Sequence, residues 1–221
     1  SVRADMLNQK LSGPAVPHSQ TALYGISPDG QYAVYIADYD QQYVFELYSV
    51  PLDGSSDPIR LTNGLFNELV NVSDLKFSPD SSTVVYRADA DENNVSELYS
   101  VPIIGGENVK LNRPFLHPHG DVDGDYLITP DSSRVIFIAD WQEGAIHELF
   151  SVPIGGGEAT RLNTELPPSS IVSHFALTPD GSEVIYSARQ LLPHYELFRV
   201  PVDGGESIKI NEPLVAGGNI F

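Results

Sequence analysis

The 221-residue sequence predicts an all-β protein built from one unit that is repeated four times. The segments ISPDG, FSPDS, ITPDS and LTPDG recur along the chain, with their prolines at Pro28, Pro79, Pro130 and Pro179. These prolines are 51, 51 and 49 residues apart, and such a period is the signature of a repeat architecture. No stretch shows sustained helical periodicity. A four-stranded sheet of about 50 residues cannot bury both of its faces alone, so we expect the sheets to stack around an axis as a β-propeller.

Each unit reads as four short antiparallel strands in the same order. The first strand ends before the Ser/Thr-Pro-Asp segment, whose residues favour a tight turn. The second strand, YAVYIAD in the first unit, is rich in β-branched and aromatic residues. The third strand, ELYSVP, ends at a proline that cannot donate to a ladder, and a glycine turn leads to a short basic-aliphatic fourth strand. We therefore expect four four-stranded antiparallel blades with almost no helix.

An aromatic residue stands seven positions after each repeated proline, on the predicted second strand. Packing between neighbouring sheets requires a large side chain at one fixed strand position, so we expect these residues to be buried between blades. The four residues are Tyr35, Tyr86, Phe137 and Tyr186.

The repeats predict a single propeller domain over residues 1–221. The blades are expected at about 18–63, 70–113, 119–164 and 170–212. Residues 8–12 resemble the last strand of a preceding unit, and residues 214–221 resemble the first strand of a following one. These two strands do not complete each other within one blade. We therefore expect either a homodimer that completes a larger propeller or a natural protein that is longer.

The succession S/T-P-D-G, Y-x-A-D, E-L-Y-x-V-P and G-G-x-x-x-R/K-L resembles the TolB-type propeller repeat over about residues 18–212. Similar repeats form the propeller domains attached to prolyl-oligopeptidase-like peptidases and tricorn-like proteases. The resemblance implies a propeller fold and a periplasmic or exported location. It leaves the function open, because the same repeat serves binding, gating and catalytic roles.

Composition narrows the choice of partners. The chain has 30 Asp plus Glu against 12 Lys plus Arg, a formal net charge of -18. Such a surface repels phosphate backbones and anionic lipid headgroups, so we expect no nucleic-acid binding and no membrane insertion. Cations, basic peptides and basic protein faces are the favoured partners. The absence of cysteine excludes disulfides, zinc-thiolate sites and cysteine nucleophiles.

Recognisable enzyme motifs are missing from the sequence, and no catalytic residue is assigned. There is no G-x-S-x-G elbow, H-E-x-x-H pair, P-loop or Rossmann glycine pattern. We therefore expect a non-enzymatic binding or scaffold propeller that recognises a protein or a small ligand through an acidic face and the channel mouth. The alternative is the propeller part of a peptidase- or lyase-type enzyme whose catalytic portion is absent or unrecognised.

The candidate ligand- or partner-binding residues follow the predicted second strands. An aspartate ends this strand in three units, an arginine takes its place in the fourth, and the following loops add an acid and two aromatics. The candidates are Asp38, Tyr39, Asp89, Asp91, Asp140, Trp141 and Arg189. They predict an acidic rim with aromatic side chains that stack on a ligand or anchor a partner. Alternatively, each acid accepts backbone N–H bonds in its own blade, and Trp141 folds over its own blade.

The connection into the third unit, HPHGDVDGD, is the candidate metal site. Its potential ligands are His117, His119, Asp121, Asp123 and Asp125. Alternating carboxylates offer the hard oxygens that Ca²⁺ prefers, although the bidentate Glu of an EF-hand is missing, and the two histidines could approach a transition metal. The other interpretation is a solvated loop rich in turn-forming residues. Weak binding of Ca²⁺ or another divalent cation is therefore expected here, and no other cofactor.

Overall fold

The computed structural model describes residues 20–63, 71–91, 94–117, 120–142, 146–168, 170–189 and 194–213, with the backbone alone at 22–24 and 142. These residues form four separate four-stranded antiparallel sheets, and none of them is helical, which confirms the predicted fold class. The predicted strands at 8–12 and 214–221 lie outside the described residues. Nowhere in the described ranges is there a helix long and apolar enough to cross a membrane.

Each sheet is one blade, and its strands are hydrogen-bonded in chain order from one edge to the other. Blade one contains β1 Thr21–Ile26, β2 Tyr32–Ala37, β3 Glu46–Pro51 and β4 Ile59–Arg60. Blade two contains β5 Val72–Phe77, β6 Thr83–Ala88, β7 Glu97–Pro102 and β8 Val109–Lys110. Blade three contains β9 Val122–Ile128, β10 Arg134–Gln142, β11 Ile146–Pro153 and β12 Thr160–Arg161. Blade four contains β13 Val172–Leu177, β14 Glu183–Ala188, β15 Glu196–Pro201 and β16 Ile208–Lys209.

The Ser/Thr-Pro-Asp segments form turns at one end of the blades, which we call the turn face. In all four, the Ser or Thr hydroxyl donates to the Asp carboxylate at 2.6 Å, and it accepts the N–H five residues further on. Because these bonds favour the charged carboxylate, they lower the pKa of each Asp, at Asp180 to about 2. The turns thus use the same polar contacts in every blade.

The residue after each turn Asp has a left-handed backbone conformation. It is glycine in blades one and four and serine in blades two and three, with φ between 62° and 72°. The two serines also join blades, because Ser81 accepts the Asp29 N–H and Ser132 accepts the Asp80 N–H, both at 3.0 Å. This contact accounts for a serine where glycine is favoured conformationally.

The core consists of apolar layers between consecutive blades. In blades two to four, the aromatic residue of the second strand faces the preceding blade and stacks on an aromatic of the third strand, with ring centroids 5.4–5.6 Å apart. The predicted burial between blades is therefore confirmed for Tyr86, Phe137 and Tyr186. Tyr35 is buried as well, in a cluster whose described members all belong to blade one.

The opposite end of the blades is the connection face, formed by the loops between second and third strands together with the connections between blades. Backbone bonds tie these loops to each other: Val72 N–H donates to the Phe45 carbonyl, Val122 N–H to the Ser96 carbonyl and Leu116 N–H to the Trp141 carbonyl. The site residues expected from the sequence that fall within the described ranges lie at or near this face, except Asp125, which is in the middle of β9.

Candidate ligand-binding site

A cation–carboxylate pair joins the third and fourth strands of every blade at the connection face. A Glu at or near the start of the third strand contacts the Arg or Lys that ends the fourth strand. The pairs are Glu46–Arg60, Glu97–Lys110, Glu148–Arg161 and Glu196–Lys209. Because an unpaired buried carboxylate is costly, each cation holds its glutamate in place and closes the end of the sheet.

Blades one and two supply a second carboxylate to this cation. Asp40 contacts Arg60 at 3.1 Å, and Asp91 contacts Lys110 at 2.6 Å. Although burial of Lys110 disfavours its charged form, the hydrogen bonds to Asp91 and Glu97 raise its pKa above the ordinary value. In blade three the corresponding sequence position, two residues after Asp140, is glutamine rather than an acid.

The two predicted aromatic anchors occupy equivalent places. Tyr39 lies over Tyr48 with centroids 5.1 Å apart at 45°, and Trp141 lies over Phe150 at 5.2 Å and 44°. Each therefore folds over its own blade, which the alternative interpretation proposed for Trp141. Tyr39 is buried, whereas Trp141 is half-buried and its ring carries the Arg113 guanidinium at 4.5 Å. The indole thus packs on the blade through one part of its surface and meets a cation through another.

Two clefts flank residues 113–117, which connect blade two to blade three. The blade-two cleft has a volume of about 410 Å³ and the blade-three cleft about 340 Å³. The former is lined by Asp91, Val95, Glu97, Lys110, Pro114, Phe115, Leu116 and His117. The latter is lined by Arg113, Leu116, Trp141, Glu148, Phe150 and Arg161. Leu116 borders both clefts and is 71% exposed, so an exposed apolar side chain lies between two clefts whose walls combine apolar and charged residues.

The predicted acidic rim is held by local hydrogen bonds. Asp38 accepts the backbone N–H groups of Gln20 and Tyr43, which lower the pKa of its carboxyl, and Asp89 accepts the Asn71 N–H at 2.7 Å. These contacts match the alternative in which each acid accepts hydrogen bonds from backbone N–H groups of its own blade. Of the other candidates, Asp140 lies 3.5 Å from His117 Nε2, and Arg189 lies over Tyr195. Only Asp91 and Trp141 of the predicted ligand set line the described clefts.

The predicted metal ligands have separate partners. Asp121 accepts the Ser96 N–H at 2.6 Å, and Asp123 contacts His147 Nδ1 at 3.0 Å. Asp125 is exposed, and His119 lies outside the described residues. In the described part of the chain, no group of three or more His, Asp or Glu side chains is placed to hold a metal ion. Divalent-cation binding at this connection stays a prediction.

The structure adds residues that the sequence interpretation did not select: Arg113, Leu116, Arg161 and His147. Arg113 carried one signal, because it follows Asn112 where the equivalent residues of the other units are Asn63, Thr164 and Glu212. His147 is opposite Asp140 in the β10–β11 register, and β9 brings Asp123 to its side chain. A contact of that kind depends on three strands at once and has no local sequence pattern.

Comparison with known proteins found no matching protein-family model and no matching curated protein. Among solved structures, a protein from Agrobacterium tumefaciens described as TolB gives a TM-score of 0.53 at 21% identity, over 88% of this chain. The chain has a TolB-like β-propeller fold. A puromycin-hydrolyzing peptidase of Mycobacterium tuberculosis gives a TM-score of 0.54 at 16% identity over 91% of this chain, and a puromycin hydrolase gives 0.57 at 18% over 92%.

The TolB-like likeness concerns the fold. This chain spans 63% of the Agrobacterium protein, 29% of the Mycobacterium peptidase and 33% of the puromycin hydrolase. At these identities, a shared propeller does not carry over the activity of the other protein.

Proposed function

We propose that this TolB-like propeller is a non-enzymatic binding module that recognises a protein or a small ligand through its connection face, at the junction of blades two and three. The observation that carries the proposal is the departure of this junction from the repeat. At this junction two clefts flank an exposed leucine, Leu116. Exposed apolar side chains beside aromatic and charged groups are typical of recognition surfaces.

The overall charge supports the choice of partner. A surface with formal charge -18 attracts cationic partners over several ångströms and repels nucleic acid, and the blade-two cleft adds Asp91 and Glu97 close to Leu116. A partner segment that combines an apolar side chain with a basic residue fits this cleft. The resemblance to TolB-type repeats also supports a periplasmic or exported location.

The test is selection of ligands against two matched aspartate variants. A phage-displayed peptide library and a small-molecule fragment library are screened on the wild-type chain, on Leu116→Asp and on Ile104→Asp. Leu116 and Ile104 are 71% and 66% exposed, but Ile104 lies in a turn-face loop of blade two. We expect selected ligands to bind Ile104→Asp as they bind the wild type, and Leu116→Asp at least about tenfold more weakly. Equal binding to both variants, or no ligand from either library, contradicts the proposal.

A second candidate function is the propeller part of a peptidase-type enzyme. It is favoured by the likeness to two puromycin-hydrolysing proteins, of which this chain spans about a third. The sequence that adjoins this chain in its gene is the discriminating observation. A neighbouring domain with a G-x-S-x-G nucleophile elbow would favour the enzyme, and the clefts would then guide its substrates.

A further inference from the structure

The joints between consecutive blades share one close contact near the turn face. The first residue of the fourth strand in blades one to three lies against a glycine in the turn that joins the third and fourth strands of the next blade. A Cβ atom on that glycine would approach the side chain to 2.5–3.1 Å. The contacts are Ile59–Gly105, Val109–Gly156 and Thr160–Gly204. A side chain at this turn position would therefore collide with the preceding blade.

The joint between blades three and four adds an ion pair beside this contact. Arg134 Nε donates to Ser151 Oγ of its own blade at 2.7 Å, and Arg134 Nη1 lies 3.2 Å from the Asp203 carboxylate of blade four. Asp203 directly precedes Gly204, so the ionic contact and the glycine contact are neighbours. Because a guanidinium has five N–H donors, one arginine can bind its own blade and the next blade at once.

The outer side of blade four presents the same groups, but the described residues include no blade that covers them. Arg199 takes the place of Ser151, Glu183 takes the place of Arg134, and the two side chains are 3.3 Å apart. Both blades thus place a guanidinium between their second and third strands. The serine at this position is buried in blades one to three, whereas the Arg199 side chain is 45% exposed. Ile208 is opposite Arg199 in the β15–β16 register and is also exposed.

Blade one exposes the complementary groups at its turn-face end. Asp53 and Gly54 take the places of the blade-four aspartate and glycine, and both are exposed, whereas the equivalent glycines of the other blades are half-buried. A Cβ atom on Gly30 would meet no described atom within 4 Å, although its equivalents in the other blades contact the preceding blade. The Tyr35 ring is already buried, so the accessible part of this side of blade one is its turn-face end.

These two ends do not meet within the described part of the chain. The ion pair of Arg199 is with Glu183, and Asp53 accepts the Ser55 N–H at 2.9 Å. An arginine and an aspartate that would complete a joint of the blade three–four kind are therefore both exposed, at opposite ends of the blade series. The chain thus carries both halves of one more joint.

We propose that blade four of one copy packs against blade one of a second copy, with Arg199 beside Asp53 and Ile208 against Gly54. A twofold axis then gives two identical joints, and the two copies close into one ring. The contact brings opposite charges together, and the repulsion between two chains of net charge -18 is screened beyond about 8 Å at physiological salt. This inference goes beyond the proposed function, because it concerns a surface outside the connection-face clefts.

Charge reversal on either side of the joint tests the contact. Light scattering at micromolar concentration and physiological salt should give the wild type twice the 24.1 kDa chain mass. We expect Arg199→Asp alone and Asp53→Arg alone to be monomers, because like charges then face each other at both joints. Ile104→Arg, at the position of blade two that is equivalent to Asp53, should stay a dimer. Any other mass of the wild type overturns the proposal, and so does a dimeric Asp53→Arg, the result expected if blade four contacts blade four.

An equal mixture of the two monomeric variants identifies the two surfaces as partners. In the mixed dimer, one joint pairs the two reversed charges and the other joint is wild type, so we expect the mixture to recover twice the chain mass. Thermal unfolding of each variant shows that it is folded. A mixture of folded variants that stays monomeric overturns the proposal. Failure here leaves the proposed function standing, because the ligand test on Leu116 does not depend on the oligomeric state.

Discussion

At the turn face, all four blades close with the same hydrogen-bonded turn, whereas at the connection face the contacts of the described residues differ from blade to blade. The Ser/Thr–Asp bond measures 2.6 Å in every turn. Blade one adds Asp40 to its cation and blade two adds Asp91. Tyr39 covers Tyr48 in blade one, and in blade three Trp141 covers Phe150 and carries Arg113 from the connection. Blade four has the Glu196–Lys209 pair.

The difference separates two kinds of residue. Those repeated in every blade satisfy needs that every blade has, namely turn formation, packing between sheets and pairing of the buried glutamate. Residues that depart from the repeat are under no such common requirement. The blade two–three junction carries several of them together, Arg113, Leu116 and Trp141, and it borders both described connection-face clefts. The comparison predicts that repeated residues govern stability and departing residues govern binding.

The largest stability effect is expected in the repeated core. Tyr86 is fully buried between blades one and two, and its replacement by Ala leaves a cavity that costs about 3–5 kcal/mol of unfolding free energy. Tyr43, on the connection face, is 68% exposed, and Tyr43→Ala should change stability by less than about 0.5 kcal/mol. Urea unfolding monitored by circular dichroism measures both. A loss below about 1 kcal/mol for Tyr86→Ala would break the comparison.

The next effect concerns the outer side of blade four, the side that is not packed against a following blade among the described residues. The aliphatic residue after the fourth strand is about 2% exposed in blades two and three but 43% exposed at Ile210. We expect a second copy of the chain to cover this side, in line with the homodimer that is one of the two arrangements expected from the terminal strands. Light scattering at micromolar concentration should give twice the 24.1 kDa chain mass, and Ile210→Asp should halve it. Ile104→Asp, on the turn face, should leave the mass unchanged, and a monomeric wild type contradicts the expectation.

A smaller, pH-dependent effect on stability is expected from the aspartates of the turn face. The bonds from the Thr178 hydroxyl and from Ser182 lower the pKa of Asp180 from 3.8 to about 2. The charged turn therefore stabilises the fold above about pH 4, and this contribution is lost as the pH falls towards 2. Asp180→Asn keeps an acceptor but removes the charge, so its melting temperature should be below wild type at pH 6 and approach it at pH 2. The control Asp125→Asn, at an exposed position within β9 and outside the turns, should differ from wild type at pH 6 by less than Asp180→Asn does.

Sequence repetition made the fold predictable, because each residue pattern that a blade requires recurs four times in the sequence. The prolines, the turn aspartates and Tyr86 stand at fixed distances in the chain, and local chemistry explains each of them. The candidate site was harder to predict from the sequence. Trp141 was selected as the single tryptophan, but its contact with Arg113 joins a loop of one blade to a strand of the next, 28 residues apart in sequence.

The predicted metal cluster illustrates the same limit. Spacing alone placed Asp121, Asp123 and Asp125 on one connection, yet β9 and its neighbours assign the first two to different partners, a backbone N–H and His147. Register between strands decides such pairings, and register is a property of the whole sheet. Residues that depart from a repeat are therefore the useful sequence signal, and their contacts have to come from the structure.

The smallest predicted effect tests a departing pair on the connection face, His147 and Asp123. The hydrogen bond to Asp123 raises the pKa of His147, burial opposes this, and the charges of Asp123 and Asp140 add to it. The folded pKa thus exceeds the ordinary 6.5, so the pair stabilises the fold most below that pH and loses its contribution as the pH rises through the folded pKa. His147→Asn retains a donor near Nδ1 without the charge, and its melting temperature should fall further below wild type at pH 5.5 than at pH 8.5.

Two controls assign this effect to the pair. In an Asp123→Asn background, His147→Asn should show the same difference at both pH values, because the carboxylate that favours the imidazolium is gone. His174→Asn, at an exposed position of β13, should give no pH-dependent difference. A shift that is equal at pH 5.5 and 8.5 in the wild-type background would mean that Asp123 does not hold the charged histidine. His147 has no equivalent histidine in the other units. A confirmed effect would therefore show that some residues that depart from the repeat also stabilise the fold. Repeated and departing residues would then differ in how much they contribute to stability, rather than in whether they contribute.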